Sequence, residues 1–413
     1  MIETAARDSP TLRRAAPALL GFAAVRALGL TALTVWSAAR DKSAYTLLTA
    51  RWDSLWYVRV AEQGYGYEVR LPNGDVHSNL AFFPLLPWLE RLLHSVSPLS
   101  YADAGFTVSL LSSLAAAWGI FAVADRVYGG RAAVCAVLLW AVLPVGIVQS
   151  MAYSESLFTV LAAWSLYAVL TGRWVMAGVL AALAGLTRPV GLAVVAAVWA
   201  AGVVSVLRDR SLADPLLRER TSSHPGSPSV PVPSSVSPGS TAPATGTRLL
   251  PRALGLAIAP LGSLGYVLWV GHRTGDGPLG YLDVQAGWRN GFDGGYAFAR
   301  FIAEKFTSPL GALAGLALIL GVGLLLRLYA VCVRQRQPVP LLVYTGVVLA
   351  LALCASSYFG SKPRLLMPAF PVLLPLALAL ARLRTSRSAL VVTAAAVVSA
   401  VYGAWWLNGS GPP

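Results

Sequence analysis

The chain has 413 residues, of which 56% are hydrophobic and only 12% charged, with a mean hydropathy of +0.64 and a net charge of +14. Soluble domains carry about a quarter charged residues, so this composition excludes an ordinary water-soluble enzyme and points to lipid as the solvent. In such a chain the positive charge reads first as membrane topology, which removes it as an argument for a nucleic-acid partner.

Runs of about 20 apolar residues recur along the chain, each long enough to cross a ~30 Å hydrocarbon core. The fold class that follows is all-α: a polytopic membrane protein with about eleven transmembrane helices. A tail, 1–15, precedes the first span, 16–38, which continues too far and lacks the small-residue cleavage site of a signal peptide. A long polar loop, 39–101, comes next. Within it Ala81-Phe82-Phe83-Pro84-Leu85-Leu86-Pro87-Trp88-Leu89-Glu90-Arg91-Leu92-Leu93 is amphipathic and too short to span, so it is expected to lie in the membrane interface. Spans are then expected at 102–124, 131–150, 156–171, 175–187 and 189–207. The last two are separated at Thr187-Arg188-Pro189, because proline disfavours helix at the residue before it and lacks a donor of its own.

Segment 208–252 is different material. Its centre, 221–247, is rich in Ser, Pro, Thr and Gly and cannot bury enough apolar surface to offset chain entropy, so a disordered linker is expected. It divides an N-terminal half, 16–207, from a C-terminal half, 253–407. That second half has spans at 253–271, 308–326, 338–357, 365–381 and 388–407 and one more long loop, 272–307. Reading the Thr187-Arg188-Pro189 break as a tight turn puts Arg126, Arg131, Arg173, Arg327, Arg334, Arg336, Arg382, Arg384 and Arg387 on one side. By the positive-inside rule that side is the cytoplasm. The N-terminus and linker are then cytoplasmic, and both long loops face outward.

The outward segments hold the polar residues that could carry chemistry. In Arg51-Trp52-Asp53-Ser54-Leu55-Trp56-Tyr57, Asp53 stands among aromatics that favour the interface. It is either a base beside a sugar- or lipid-binding wall, or a solvated aspartate paired with Arg51 or Arg59. Arg188, at the helical break, either holds a phosphate bidentately or satisfies freed carbonyls. Lys362-Pro363-Arg364 is an outward basic pair at a span end, suited to an anionic substrate or to lipid headgroups. Tyr153-Ser154-Glu155-Ser156 is a short outward turn in which Ser154 or Ser156 is a candidate N-cap and Glu155 suits the first helical turn. Ser100-Tyr101-Ala102-Asp103 fits a capping box. Arg26 lies mid-span, where a charge is costly without a partner or an aqueous cavity. Cys135, Cys332 and Cys354 all lie in apolar segments and the four histidines are scattered, so neither disulfide nor zinc spacing is present. No phosphate-binding loop, dinucleotide fingerprint, His-Glu-x-x-His or nucleophile elbow occurs.

Taken in order, Trp52-Asp53-Ser54-Leu55-Trp56-Tyr57, Ala61-Glu62-Gln63-Gly64-Tyr65 and Ala81-Phe82-Phe83-Pro84-Leu85-Leu86-Pro87 resemble the PIG-V type mannosyltransferases. Tyr153-Ser154-Glu155-Ser156-Leu157-Phe158, Leu186-Thr187-Arg188-Pro189-Val190-Gly191 and Ser361-Lys362-Pro363-Arg364-Leu365-Leu366-Met367-Pro368 are similar to later motifs of that family. The resemblance implies a GT-C glycosyltransferase, inverting, with a polyprenyl-phosphate sugar as donor; no cofactor is expected, and no clustered acidic residues demand a metal. Asp53 would then be the general base, and Arg188, Lys362 and Arg364 would stabilise the leaving lipid phosphate. Arg51, Trp52, Trp56, Tyr57, Tyr153 and Glu155 would line the substrate pocket. The implied partners are membrane lipids, polyprenyl-phosphate-mannose and a glycolipid, glycan or protein acceptor, met on the outer face of the cell membrane. A lipid-linked sugar flippase or a non-catalytic subunit of an envelope-glycan complex is the alternative.

Overall fold

The structure, a computed structural model, describes residues 12–213, 246–409 and 411. Most of the expected linker and N-terminal tail lie outside the described residues. The N-terminal half comprises α1 (Leu12–Ala38), α2 (Ala44–Thr49), α3 (Asp53–Gln63), α4 (Leu85–Val96), α5 (Tyr101–Tyr128), α6 (Gly130–Ala141), α7 (Ser154–Leu170), α8 (Trp174–Gly185) and α9 (Leu192–Ala213). The C-terminal half continues with α10 (Gly246–Ile258), α11 (Leu261–Thr274), α12 (Gly280–Gly287), α13 (Tyr296–Lys305), α14 (Pro309–Arg334), α15 (Val339–Cys354), α16 (Lys362–Leu366), α17 (Leu374–Arg382) and α18 (Thr385–Leu407). Two short antiparallel ladders are the strand pairs among the described residues. Glu68–Arg70 pairs with Val76–Ser78, and Gly291–Phe292 pairs with Ala355–Ser356.

The fold is that of a multi-pass membrane protein. Each of the eleven expected apolar segments contains helix, several of them interrupted. Six helical stretches are long and apolar enough to cross a membrane alone: Leu12–Ala38, Tyr101–Tyr128, Pro189–Ser211, Leu249–Thr274, Pro309–Arg334 and Thr385–Leu407. A seventh, Phe359–Leu366 with Phe370–Arg382, is bent by 74°, and α6, α7, α8 and α15 are shorter.

Local chemistry sets these boundaries. Ser100 caps α5, its hydroxyl accepting the Asp103 amide at 3.1 Å. The expected span 131–150 is in fact broken: α6 stops at Ala141, three residues before Pro144, and the chain resumes as a 3-10 turn at Gly146–Ser150. Proline removes a donor and disfavours helix at Leu143, which accounts for the break. At the second proline break Arg188 is extended (φ −160°, ψ 154°). The chain there folds back so tightly that a Cβ on Gly191 would lie 2.6 Å from the Gly185 Cα.

In α4, Leu86, Pro87 and Glu90 turn inward while Trp88, Leu92 and Val96 are exposed. An apolar face directed away from the protein is what a helix in the membrane interface requires. The core lies between α1, α5, α6 and α7, where Phe22 stacks on Trp140 at 5.5 Å and Phe121 and Phe158 are fully buried.

Candidate active site

Asp53 opens α3, and the turn before it is unusual. Trp52 adopts φ 54°, ψ −122°, a region that disfavours side chains. Ser54 closes this turn from both sides: its hydroxyl accepts the Arg51 amide at 2.9 Å and donates to the Arg51 carbonyl at 2.7 Å. The result places a carboxylate in the first turn of a helix, where the unpaired amides favour negative charge.

The partner of Asp53 is neither Arg51 nor Arg59. Arg364 Nη1 lies 2.7 Å from Asp53 Oδ2, and Arg364 Nε lies 3.5 Å from Glu155 Oε1. Glu155 is also paired with Arg188, whose Nη1 is 2.5 Å from Oε1. Asp53, Arg364, Glu155 and Arg188 thus form one chain of alternating charge in which Glu155 is the link. Glu155 is 1% exposed, whereas the Asp53 side chain keeps 25%. Buried ion pairs need every partner in place, and here the more accessible end is the carboxylate at the helix terminus.

Neutral groups complete the cluster. The Ser154 hydroxyl receives Arg188 Nη1 at 3.2 Å and pairs with Tyr57 OH at 2.7 Å. This corrects the expectation that Ser154 or Ser156 caps α7: Tyr153 holds the cap position without a capping side chain, and Ser156 donates to the Gln149 carbonyl. Arg364 lies over the Tyr153 ring at 5.1 Å. Burial, with Asp53 nearby, holds the Tyr153 phenol well above its usual range, and burial does the same for Tyr57. Both hydroxyls therefore stay protonated at neutral pH.

Two of the expected site residues belong elsewhere. Arg51 donates to the carbonyls of Leu407 and Gly409 at 3.2 and 3.1 Å and lies over Trp52, tying the loop to the end of α18. Lys362 donates to the carbonyls of Ala352 and Ala355, both at 2.8 Å, with its ammonium against the Phe298 and Phe359 rings. It secures the end of α15, and Arg364 alone of the basic pair reaches the charge cluster.

An aromatic wall rises from α3 one turn beyond Asp53. Trp56 stacks on Phe82 at 5.6 Å and meets Trp288 edge-on at 4.9 Å, while Trp288 stacks on His77 at 4.0 Å. Phe82 belongs to the interfacial segment and to the Ala81–Pro87 motif, whereas Trp288 belongs to no motif singled out in the sequence. The available signal was a tryptophan in the second long loop. Next to this wall is an apolar cavity of about 630 Å³, lined by Tyr65, Trp88, Leu186, Gly262, Tyr266 and Trp269 among others. Leu186 joins the cavity to the Arg188 break, and its carbonyl accepts the Leu85 amide at 3.0 Å.

Comparison with known proteins finds similarity in sequence and in fold. The family described as Mannosyltransferase (PIG-V) matches residues 30–209. The GPI alpha-1,6-mannosyltransferase 2 of Mus musculus is 33% identical over 155 residues, covering 35% of this chain and 29% of the mouse protein. Among solved structures, ArnT from Cupriavidus metallidurans bound to undecaprenyl phosphate superposes with a TM-score of 0.50 at 16% identity, covering 90% of this chain and 61% of ArnT. That likeness concerns the fold. The chain therefore spans less than two thirds of either protein. Residues 30–209, which hold every member of the charge cluster except Arg364, are thus the part of the chain that is similar to the PIG-V mannosyltransferases.

Proposed function

We propose that the protein is an inverting membrane glycosyltransferase. It moves a sugar, mannose by the likeness of residues 30–209 to the PIG-V mannosyltransferases, from a polyprenyl-phosphate donor to a hydroxyl of a cell-envelope glycolipid, glycan or protein on the outer face of the membrane. The observation that carries this reading is the Asp53–Arg364–Glu155–Arg188 chain. It offers one accessible carboxylate and two guanidiniums whose position is fixed by a buried third group.

In this reaction the acceptor oxygen attacks the anomeric carbon as its proton passes to Asp53. The bond from that carbon to the phosphate oxygen breaks, and the lipid phosphate leaves with the electron pair. General-base assistance of this kind contributes about 10²–10⁴-fold. Charge developing on the phosphate is met by Arg188 and Arg364, donors already oriented and shielded from water.

In the resting site Arg364 holds one oxygen of the Asp53 carboxylate. An anionic donor competes for Arg364 and so frees Asp53 as it binds, which makes donor-first binding the natural order. The apolar cavity beside Leu186 supports a long isoprenoid tail, and Trp56, Phe82 and Trp288 offer ring faces to a sugar. The reaction as read needs no metal or cofactor.

Purified protein given polyprenyl-phosphate-mannose and membrane acceptors tests the reading. Wild type is expected to transfer, and Asp53→Asn to lose about 10²–10⁴-fold in kcat with donor binding retained. Transfer at the wild-type rate in Asp53→Asn removes the base assignment. Absence of turnover by wild type with every hexose donor, together with retained donor binding, favours a flippase or a non-catalytic subunit.

A further inference from the structure

Arg26 lies in the middle of α1 and is buried, and the charge cluster makes no use of it. Its guanidinium donates to the carbonyls of Ala141 and Gly146, on either side of the proline break after α6. A broken helix end leaves carbonyls without intrahelical donors, and in a membrane interior each of these must be satisfied by protein. Three segments supply the donors. Besides Arg26, Gln149 Nε2 donates to the Trp140 carbonyl at 2.8 Å, and Ser399 from α18 donates to the Leu143 carbonyl at 2.7 Å.

The fit at Arg26 is close: a Cβ on Gly146 would lie 2.8 Å from Arg26 Nη2. Beyond the break, Gly146 through Ser150 are buried throughout. The Ala152 amide then donates to the Leu48 carbonyl at 2.9 Å, and Tyr153, Ser154 and Glu155 follow at once. A charged group in mid-membrane is retained at a cost of several kcal/mol. Here its partners are backbone carbonyls at the root of the strap that carries the site.

We propose that Arg26 is a positioning residue for the transfer reaction: it fixes the buried strap 142–153 that delivers Tyr153, Ser154 and Glu155 to Asp53. This rests on the transferase reading and adds to it a residue outside the charge cluster. A lysine at this position still places a cation between the two carbonyls, whereas a methionine of similar length offers no donor.

The test uses full-length protein in lipid nanodiscs, with kcat normalised to folded protein. Arg26→Met is expected to lose about 10-fold or more in kcat, the scale on which small misplacements of reacting groups act, and Arg26→Lys to recover most of that loss. A wild-type kcat per folded Arg26→Met, or an equal loss in Arg26→Lys, overturns the proposal. If Arg26→Met does not fold, Ser399→Ala and Gln149→Met remove the other donors at the same break. Each is then expected to lower kcat a few-fold, and wild-type values in both overturn it.

One readout needs no turnover. Ser154→Cys in a background lacking the native cysteines is buried beside Tyr57, and adding Arg26→Met is expected to raise its labelling by a thiol reagent several-fold. Unchanged labelling overturns the proposal even where wild type transfers nothing, an outcome that by itself counts only against the transferase reading.

Discussion

Helices α7 and α14 are both apolar, yet they relate to the protein in opposite ways. In α7, every residue from Ser154 to Val169 except Val160 and Trp164 is buried, and Glu155 is among them. In α14, one of the two most apolar spans, only 6% of the most apolar stretch is buried, and Leu310, Leu313 and Leu320 are largely exposed. Hydropathy therefore reports contact with lipid rather than importance to the fold. The helix that serves the site is shorter, less uniformly apolar, and tied at its first turn to segments from both halves of the chain. In lipid, burial inside the protein goes with polar residues that need partners.

The largest effect along this comparison is expected from Glu155→Ala, which leaves Arg188 and Arg364 without their shared carboxylate. Stranding buried charge costs about 3–5 kcal/mol, so both the thermal midpoint in detergent and transfer should collapse. A variant that keeps its midpoint would show that the two arginines find other partners. Arg188→Ala comes next. It removes a phosphate donor while leaving the Arg364 pairs, so donor KM should rise by about 10-fold or more, the value of a charge-assisted bond near 1.5–3 kcal/mol. An unchanged donor KM would return Arg188 to a purely structural role. Trp288→Ala should leave donor KM alone and raise acceptor KM a few-fold, since one aromatic face is worth about 0.5–1.5 kcal/mol beyond its area. Leu320→Ala on the exposed face of α14 should change the midpoint and kcat least, by about 0.5 kcal/mol or less. A loss comparable to that of Trp288→Ala would mean that this face is covered by something other than lipid.

Much of the architecture was legible because the solvent imposes it. Apolar runs of membrane length mark the spans, and Thr187-Arg188-Pro189 marks a break, on local grounds alone. Pro144 gave the same signal inside 131–150, but the surrounding hydropathy masked it. Residue types at the site were also legible: an aspartate among tryptophans, an arginine at a helix break, a glutamate in a helical first turn. Their partners were not. Asp53 and Arg364 meet through the packing of segments from opposite ends of the chain, and no local spacing encodes that. Lys362 and Arg364 were indistinguishable in sequence, yet residues two apart in a helical turn face different ways. One reaches Asp53 and the other reaches carbonyls of Ala352 and Ala355. Arg26 could be recognised as an anomaly, but the proline break it serves lies on another helix.

The pairing of two carboxylates with two guanidiniums has a kinetic corollary for the proposed reaction. At rest the cluster is electrically balanced, so it attracts anions only weakly from a distance. The donor is a phosphodiester with a single negative charge, but the lipid phosphate it leaves behind is a monoester carrying about −1.5 to −2 at neutral pH. The same arginines therefore grip the spent lipid harder than the fresh one. Free polyprenyl phosphate is then expected to be a product inhibitor that binds more tightly than the donor.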